Sequence, residues 1–308
     1  MNKVLRIGTR GSELAVWQAT LVQNSLAEHG ISSELVYIKS EGDIDLVTPL
    51  YAIGVQGIFT KTLDAALLSK RIDIAVHSMK DVPTQMAQGI VQAAVLRRAS
   101  QMDVLVYKDD IDFLEDEHSY AIIASSSVRR IAQWLNRYPN HTIENLRGNV
   151  NTRMQKLEDS SWNGAVFAAA GIERIGLRPP NAIDLDWMLP APAQGAIMVV
   201  CREEDTAVLE QCAVLNDRNT AVCTKIERDF LRALMGGCST PIGAFAQIEN
   251  EDLVFKGNIL SPDGKHKAVI EERLHLDTCD KYIGITLAQQ ILANGGAAIM
   301  ETVRHATK

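Results

Sequence analysis

The apolar positions of this chain fall into short runs separated by amphipathic stretches. Val4-Leu5-Arg6-Ile7-Gly8 opens as a strand. Residues 13–29 then carry Leu14, Trp17, Leu21 and Leu26 at helical spacing, with Ser12 as N-cap and Gly30 as stop. Glu34-Leu35-Val36-Tyr37-Ile38 reads as a second strand, a strand–helix–strand opening of the kind found in parallel α/β folds. Residues 39–58 hold no sustained period and are punctuated by Gly42, Pro49, Gly54 and Gly57, so they are expected to form a long loop, either a lid or a loose surface segment. A helix over 59–69 leads into Asp73-Ile74-Ala75-Val76, a β-branched run expected to be a buried parallel strand. The run turns abruptly polar at His77, Ser78, Lys80 and Asp81 before Pro83 blocks regular continuation. Ligands of open α/β sheets sit at strand carboxyl ends, so chemistry is expected here. Taken alone, Lys80 and Asp81 would pass as solvated neighbours in a loop.

Residues 91–96 read as a further strand, and Arg97-Arg98-Ala99-Ser100 marks a domain crossing. Strands at 103–106 and 121–124 begin a second α/β unit, in which Ser125-Ser126-Ser127 precedes a helix over 128–138. A strand at 142–146, a turn at Arg147-Gly148-Asn149, a helix over 150–157 and an apolar strand at 164–170 follow, and Gly171 starts the next helix. Pro179, Pro180, Pro190 and Pro192 indicate a linker, and 196–200 a strand returning to the first unit. A helix over 217–235 runs into Gly236-Gly237-Cys238. Strand-like runs at 242–247, 253–260 and 268–276 and a helix from about 280 to 294 complete the pattern. Hairpin succession with flanking helices points to a small antiparallel α+β domain. No internal repeat is visible.

Composition narrows the class. A chain of 308 residues exceeds a usual single core, since domains run to ~100–150 residues. A hydrophobic content of 46% with 22% charged residues is that of a globular protein. The net charge of −7 argues against general affinity for nucleic acid or anionic membranes. No apolar run approaches the ~20 residues of a membrane span. The first residues lack the apolar core of a signal peptide, so a cytoplasmic location is expected. Five cysteines (Cys201, Cys212, Cys223, Cys238 and Cys279) form neither a disulfide framework nor a zinc pattern. Most are expected to be small buried hydrophobes. Cys238 differs, because a thiol behind two glycines is open to attachment or attack; an inert thiol is nevertheless the commoner outcome for a lone cysteine.

The arginines are the anomaly. Arg10 precedes Ser12, Ser125 to Ser127 precede Arg129 and Arg130, and Arg147 precedes a helix that carries Arg153 near its start. Helix N-termini favour acidic side chains, so repeated arginine there implies an anion in the site. Residues 122–178 hold eight basic residues against four acidic ones in an otherwise acidic chain. Any single one of these arginines would ordinarily be solvated, but the set points to an anion site. The guanidinium fork suits carboxylate and phosphate equally, and the nucleotide-binding glycine patterns are missing from these junctions.

These motifs resemble one family. Thr9-Arg10-Gly11-Ser12, Ala75-Val76-His77-Ser78-Met79-Lys80-Asp81-Val82-Pro83, Ser126-Ser127-Val128-Arg129-Arg130, Leu146-Arg147-Gly148-Asn149-Val150 through Arg153, Gln194-Gly195-Ala196 and Gly236-Gly237-Cys238 occur in order along nearly the whole chain. Together they are similar to the porphobilinogen deaminases, also called hydroxymethylbilane synthases. The resemblance implies two domains like the halves of type-2 periplasmic binding proteins, with mixed, mostly parallel sheets, at 1–98 with 197–216 and at 101–192. It implies a third, α+β domain at 217–308, with a three-stranded antiparallel sheet and the cysteine.

It further implies a transferase with a dipyrromethane cofactor held by a thioether to Cys238. Four porphobilinogen units are added to this primer with loss of ammonia, and water releases the linear tetrapyrrole. Each ring brings an acetate and a propionate, so the growing chain is a polyanion. The resemblance assigns carboxylate binding to Arg10, Arg129, Arg130, Arg147, Arg153 and Arg174, and anchoring to Lys80. It assigns further contacts to Ser12, Ser126, Ser127, Gln194 and Gly195. Asp81 is the matching catalytic residue, a carboxylate that stabilises the azafulvenium-like cation left when ammonia departs and can move protons. His77 is expected to be structural, no metal is expected, and the protein is expected to act as a monomer on a small molecule. Glu41 and Gln56 stand where the family often has Arg and Lys. The alternatives are a two-lobed small-anion binding or sensing protein, which leaves the Gly236-Gly237-Cys238 domain without a purpose, and an RNA-binding protein. The latter would need more aromatic residues among the arginines.

Overall fold

The computed structural model of the chain describes residues 4–39, 60–235 and 240–306. The expected loop at 39–58 therefore lies, except for Lys39, outside the described residues, as does Cys238.

The first sheet contains β1 (Leu5–Thr9), β2 (Ser33–Tyr37), β3 (Ile74–Ser78), β4 (Ile90–Val95) and β10 (Ile197–Arg202), in the order β2-β1-β3-β10-β4. The second contains β5 (Asp103–Tyr107), β6 (Ile122–Ala124), β7 (Thr142–Glu144), β8 (Gly164–Ala168) and β9 (Ala182–Asp184), in the order β7-β6-β8-β5-β9. Both are mixed. β10 runs against both its neighbours, and β5 against both of its own, so the other four strands of each sheet share one direction. The same arrangement thus occurs twice although no sequence repeat is visible. β3, expected as a buried parallel strand, pairs parallel with β1 and antiparallel with β10, in keeping with the mixed sheets expected.

The strands read as continuous apolar runs because both faces of each sheet are covered. On β3, Ile74 and Val76 join the core beneath α1 (Glu13–Glu28), while Ala75 joins the opposite core beneath α2 (Lys61–Leu68). On β10, Val199 and Cys201 face the first core and Met198 and Val200 the second. Ser12 does occupy the N-cap position of α1, but its side chain makes no capping bond. The second sheet is flanked by α3 (Val128–Arg137), α4 (Val150–Asp159) and α5 (Ala169–Glu173). Helix α5 begins two residues before the expected Gly171. β9 lies inside the proline-marked linker, and α6 (Thr206–Cys212) follows β10; neither was expected.

The third sheet is the antiparallel meander β11 (Ile242–Glu249), β12 (Asp252–Leu260) and β13 (Lys267–His275), packed on α7 (Arg218–Ala233) and α8 (Ile283–Ile291). Gly295 takes a φ of 94° and breaks the terminal helix, which resumes as α9 (Ala297–Ala306). By length and composition alone, Ile283–Arg304 is long and apolar enough to cross a membrane, contrary to the sequence reading. Here Leu287, Ala288, Ile291, Ile299 and Met300 are buried in the third core.

Candidate active site

A cleft of about 330 Å³ lies between the first two sheets, and Leu231, Thr240 and Ile242 of the third unit close one side. Its walls are strand carboxyl ends, as open α/β sheets require. Arg10 follows β1, Lys80 and Asp81 follow β3, Ser125 to Ser127 follow β6, and Arg147 follows β7. Six basic side chains (Arg10, Lys80, Arg129, Arg130, Arg147 and Arg153) line the cleft, against two acidic ones, Glu13 and Asp81. Ser12, Ser126, Ser127 and Gln194 also line it.

The positive charge is organised by a carboxylate that sequence reasoning missed. Asp103, wholly buried at the start of β5, accepts Arg129 Nη1 at 2.7 Å on Oδ2 and Arg130 Nε at 2.9 Å on Oδ1. Gln194 Nε2 donates to the same Oδ1 at 2.9 Å, and Gln194 Oε1 accepts Lys80 Nζ at 3.2 Å. One carboxylate thereby sets two arginines of the second unit and, through one amide, a lysine of the first. Burial would raise the Asp103 carboxyl, but the Arg129 and Arg130 charges overcome it and hold the group well below the carboxylate range.

The cleft still carries excess cation. Burial, then Arg130, pushes Lys80 down to about 8, with Asp81 and Asp103 opposing the shift. Burial, then Arg130, pushes Arg153 down to about 10, again opposed by Asp81. Burial, then the Arg10 charge, lowers His77 to about 4, so its imidazole is neutral near pH 7, as a structural residue would be. Asp81 itself is half-buried at the end of a single 3-10 turn, Met79–Asp81.

The loops are held by short polar side chains. Ser126 Oγ donates to Asn145 Oδ1 at 2.6 Å and accepts Leu146 N at 2.9 Å, so its hydroxyl ties two loops together. Ser127 caps α3 through the Arg130 N–H, and Asn149 caps α4 through the Thr152 N–H. Both helix N-termini face the cleft and add the partial positive charge of unpaired N–H groups. Arg153 Nε is fixed on Gly148 O at 2.8 Å.

Two expected site residues stand elsewhere. Arg174 does not line the cleft; its Nη2 donates to Gly195 O at 2.7 Å and its guanidinium lies over the Trp17 ring, tying the second unit to α1. Gly195 is also outside the lining. It has a φ of 85°, and an added Cβ would meet Ser100 O at 2.6 Å and Ala99 O at 2.8 Å, so glycine is needed where the two inter-sheet connections touch. Gln194 lines the cleft but is wholly buried, its amide committed to Lys80, Asp103 and backbone carbonyls.

Residues of the third unit also reach this region. Glu227 on α7 is wholly buried; it pairs with Arg98 and accepts the Ala193 and Ala246 N–H groups. Its neighbour Arg228 donates to carbonyls of the 79–83 segment. At the mouth, Asn151 Nδ2 donates to Glu13 Oε2 at 2.8 Å across the cleft.

Residues 5–210 match the family described as porphobilinogen deaminase, dipyromethane cofactor binding domain, and residues 221–293 match porphobilinogen deaminase, C-terminal domain. Among curated proteins, the chain is 39% identical to a porphobilinogen deaminase of Chlorobium phaeobacteroides (strain BS1), with 99% of each chain covered. It is also 39% identical to a porphobilinogen deaminase of Trichlorobacter lovleyi, covering 98% of this chain and 97% of that one. Among solved structures, the methionine-binding protein MetQ is similar at 14% identity and a TM-score of 0.42, covering 68% of this chain and 88% of its own. A Salmonella typhimurium periplasmic binding protein with high arginine specificity is similar at 13% identity and a TM-score of 0.42, covering 71% of this chain and 94% of its own.

Proposed function

The chain belongs to the porphobilinogen deaminase family, and from that premise we propose which of its residues carry the reaction. The activity is hydroxymethylbilane synthesis. Porphobilinogen units are joined head to tail on a dipyrromethane primer with loss of ammonia, and the linear tetrapyrrole is released by water. The observation that carries the assignment of roles is one half-buried carboxylate, Asp81, in a cleft lined by six cations.

The donor set fits the cofactor. Each of its two rings bears an acetate and a propionate, and a cleft whose buried cations depress one another's pKa is one that gains from receiving carboxylates. When bound, a dipyrromethane supplies the nucleophilic pyrrole carbon to which substrate is joined. Cys238 is its attachment point in this proposal, supported by Leu231, Thr240 and Ile242, which flank it in sequence and line the cleft wall.

Asp81 would face the pyrrole nitrogens of the bound group and stabilise positive charge as ammonia leaves, from a half-buried site where a carboxylate acts more strongly than in water. Lys80, Arg10, Arg147 and Arg153 take carboxylates. Arg129 and Arg130, anchored by Asp103, do so in fixed orientation and lose little side-chain freedom on binding. Ser12 contributes its hydroxyl, while Ser126 and Ser127 shape the N-terminus of α3, whose N–H groups face the cleft. Arg174 and Gly195 act indirectly, by holding the two units together.

Three domains, 1–98 with 197–216, 101–192 and 217–308, are supported by three separate sheets with their own cores. A monomer working in the cytoplasm, without nucleic acid or membrane, is supported by the acidic net charge and the small-molecule substrate of the family.

Intact-protein mass spectrometry tests the reading. Protein from a host that makes porphobilinogen should carry a covalent excess of two linked pyrrole units, absent from Cys238→Ser. An unmodified native mass would overturn the attachment.

A further inference from the structure

The turn that carries Asp81 is held from outside its own sheet. The segment Met79–Asp81 makes a single 3-10 turn after β3, and Pro83, which has no N–H to offer, prevents it from extending into a helix. Its carbonyls therefore need other donors. Met79 O, in the turn, and Val82 O and Pro83 O, just after it, converge on one guanidinium. Arg228 Nη1 donates to Val82 O at 2.8 Å and to Met79 O at 3.3 Å, and Nη2 donates to Pro83 O at 2.6 Å.

Arg228 lies on α7, in the third unit, and α7 leads directly into Gly236-Gly237-Cys238. The residue before it, Glu227, binds Arg98 on one inter-sheet connection and Ala193 on the other. A rigid fork that takes three carbonyls constrains both the height and the tilt of the turn more than a point charge on a flexible stem would.

We propose that Arg228 is a positioning residue for the condensation step: it fixes the turn that carries the Asp81 carboxylate into the cleft. The proposal rests on the catalytic reading of Asp81. The bonds Arg228 makes to the 79–83 segment go to backbone carbonyls, so its loss is expected to act on the placement of the turn rather than on a side chain that binds carboxylate. What shifts is the carboxylate that must meet developing charge, and a displacement of about 1 Å there costs up to about 100-fold in rate.

Steady-state kinetics of Arg228→Gln and Arg228→Lys, each alone and combined with Asp81→Glu, provide the test, with cofactor loading checked by intact mass and folding by circular dichroism. Arg228→Gln is expected to retain cofactor and a KM within about 3-fold of native, with kcat lowered by about 10–100-fold. Arg228→Lys should recover part of that loss. In the Asp81→Glu background, whose carboxylate is already displaced, Arg228→Gln should cost less than about 3-fold more. A native kcat in Arg228→Gln beside a crippled Asp81→Glu overturns the positioning role alone, as does full additivity of the two changes. A native kcat in Asp81→Glu overturns the catalytic reading and this proposal with it. If Arg228→Gln fails to fold or load, Arg228→Lys carries the test, and a native kcat in that variant overturns the need for the fork.

Discussion

Arg98 and Glu227 meet through two parallel hydrogen bonds, 2.6 and 3.1 Å long, with the glutamate wholly buried. The arginine belongs to the connection leaving the first sheet and the glutamate to α7 of the third. Breaking a buried pair leaves one charge uncompensated, at about 3–5 kcal/mol. Glu227→Gln is therefore expected to lower stability by that order in urea unfolding, while its amide oxygen still accepts one of the two backbone N–H groups. A change under about 1 kcal/mol would show that the pair is not structural.

Asp81→Ala should keep its cofactor yet turn over about 100–1,000-fold more slowly, because charge stabilisation is removed and attachment is not. Mass and turnover measured on the same preparation decide the matter; native turnover would exclude Asp81 from catalysis.

The arginines divide into two groups. Arg130→Leu removes one of the two arginines that pair with the buried Asp103 carboxylate and should lower the melting temperature markedly. Arg153→Leu leaves no buried ion pair broken among the described residues and should leave melting near native. It should instead slow elongation, so that enzyme carrying partly extended chains accumulates and is visible by mass. Equal melting losses in the two variants would erase the division.

Lys80 gives the site a pH dependence with a definite sign. Its pKa in the protein is about 8, below the 10.5 of a free lysine. Its charge, and its grip on carboxylate, is thus present below about pH 8 and lost as pH rises through that value. A bound carboxylate raises the pKa again, so anion binding near pH 8 should take up protons. KM for porphobilinogen is expected to rise above about pH 8 in the native protein and to lose this inflection in Lys80→Met; an identical profile in the variant would assign the inflection to another group. For stability the sign is opposite. The unfolded chain binds the extra proton between about pH 8 and 10.5, so this lysine opposes folding below that window and ceases to oppose it above.

Gly195→Ala should be costly although it adds only one methyl group. The backbone is left-handed there and two carbonyl oxygens occupy the space of the new Cβ. Strain of about 1–3 kcal/mol or more is expected, with a shift of the neighbouring Gln194 that lowers activity too. Native melting and turnover would show that the connections tolerate separation.

The local chemistry of the site was legible in the sequence because it is local. Lys80 and Asp81 stood out where an apolar run ended in charge, and Arg129, Arg130, Arg147 and Arg153 stood out as surplus cations at helix starts. Asp103 was not found, since its partners lie 26 and 27 positions away and pairing is a tertiary fact. A signal did exist: it is an acid at the head of the otherwise apolar Val104-Leu105-Val106. Glu227 left a similar trace, lying four residues after Cys223 and three before Phe230 on the buried stripe of its helix. Arg174 entered the expected site through the family resemblance, and its contacts with Gly195 and Trp17 are tertiary facts that the sequence does not show. In the fold, Asn294-Gly295-Gly296 read as a terminus because it has the chemistry of one, and only the third core draws the chain back into helix at α9. The three-residue β9 was lost among prolines for want of length.

The first two sheets are joined by two connections, 97–100 and 190–196, which lie against each other at Gly195. Two bodies attached side by side at neighbouring points have one easy motion, a swing about the line through those points, as a door turns on its pins. Points on the line stay put while the far edge travels. Gln194, between Lys80 and Asp103, stands close to that line; Glu13 and Asn151 stand across the mouth. A swing of this kind is expected to make room for each added ring by widening the entrance before it disturbs the charges at the back. Spin labels at positions 13 and 151 should separate progressively through elongation, and a constant distance would mean that the cleft grows by some other route.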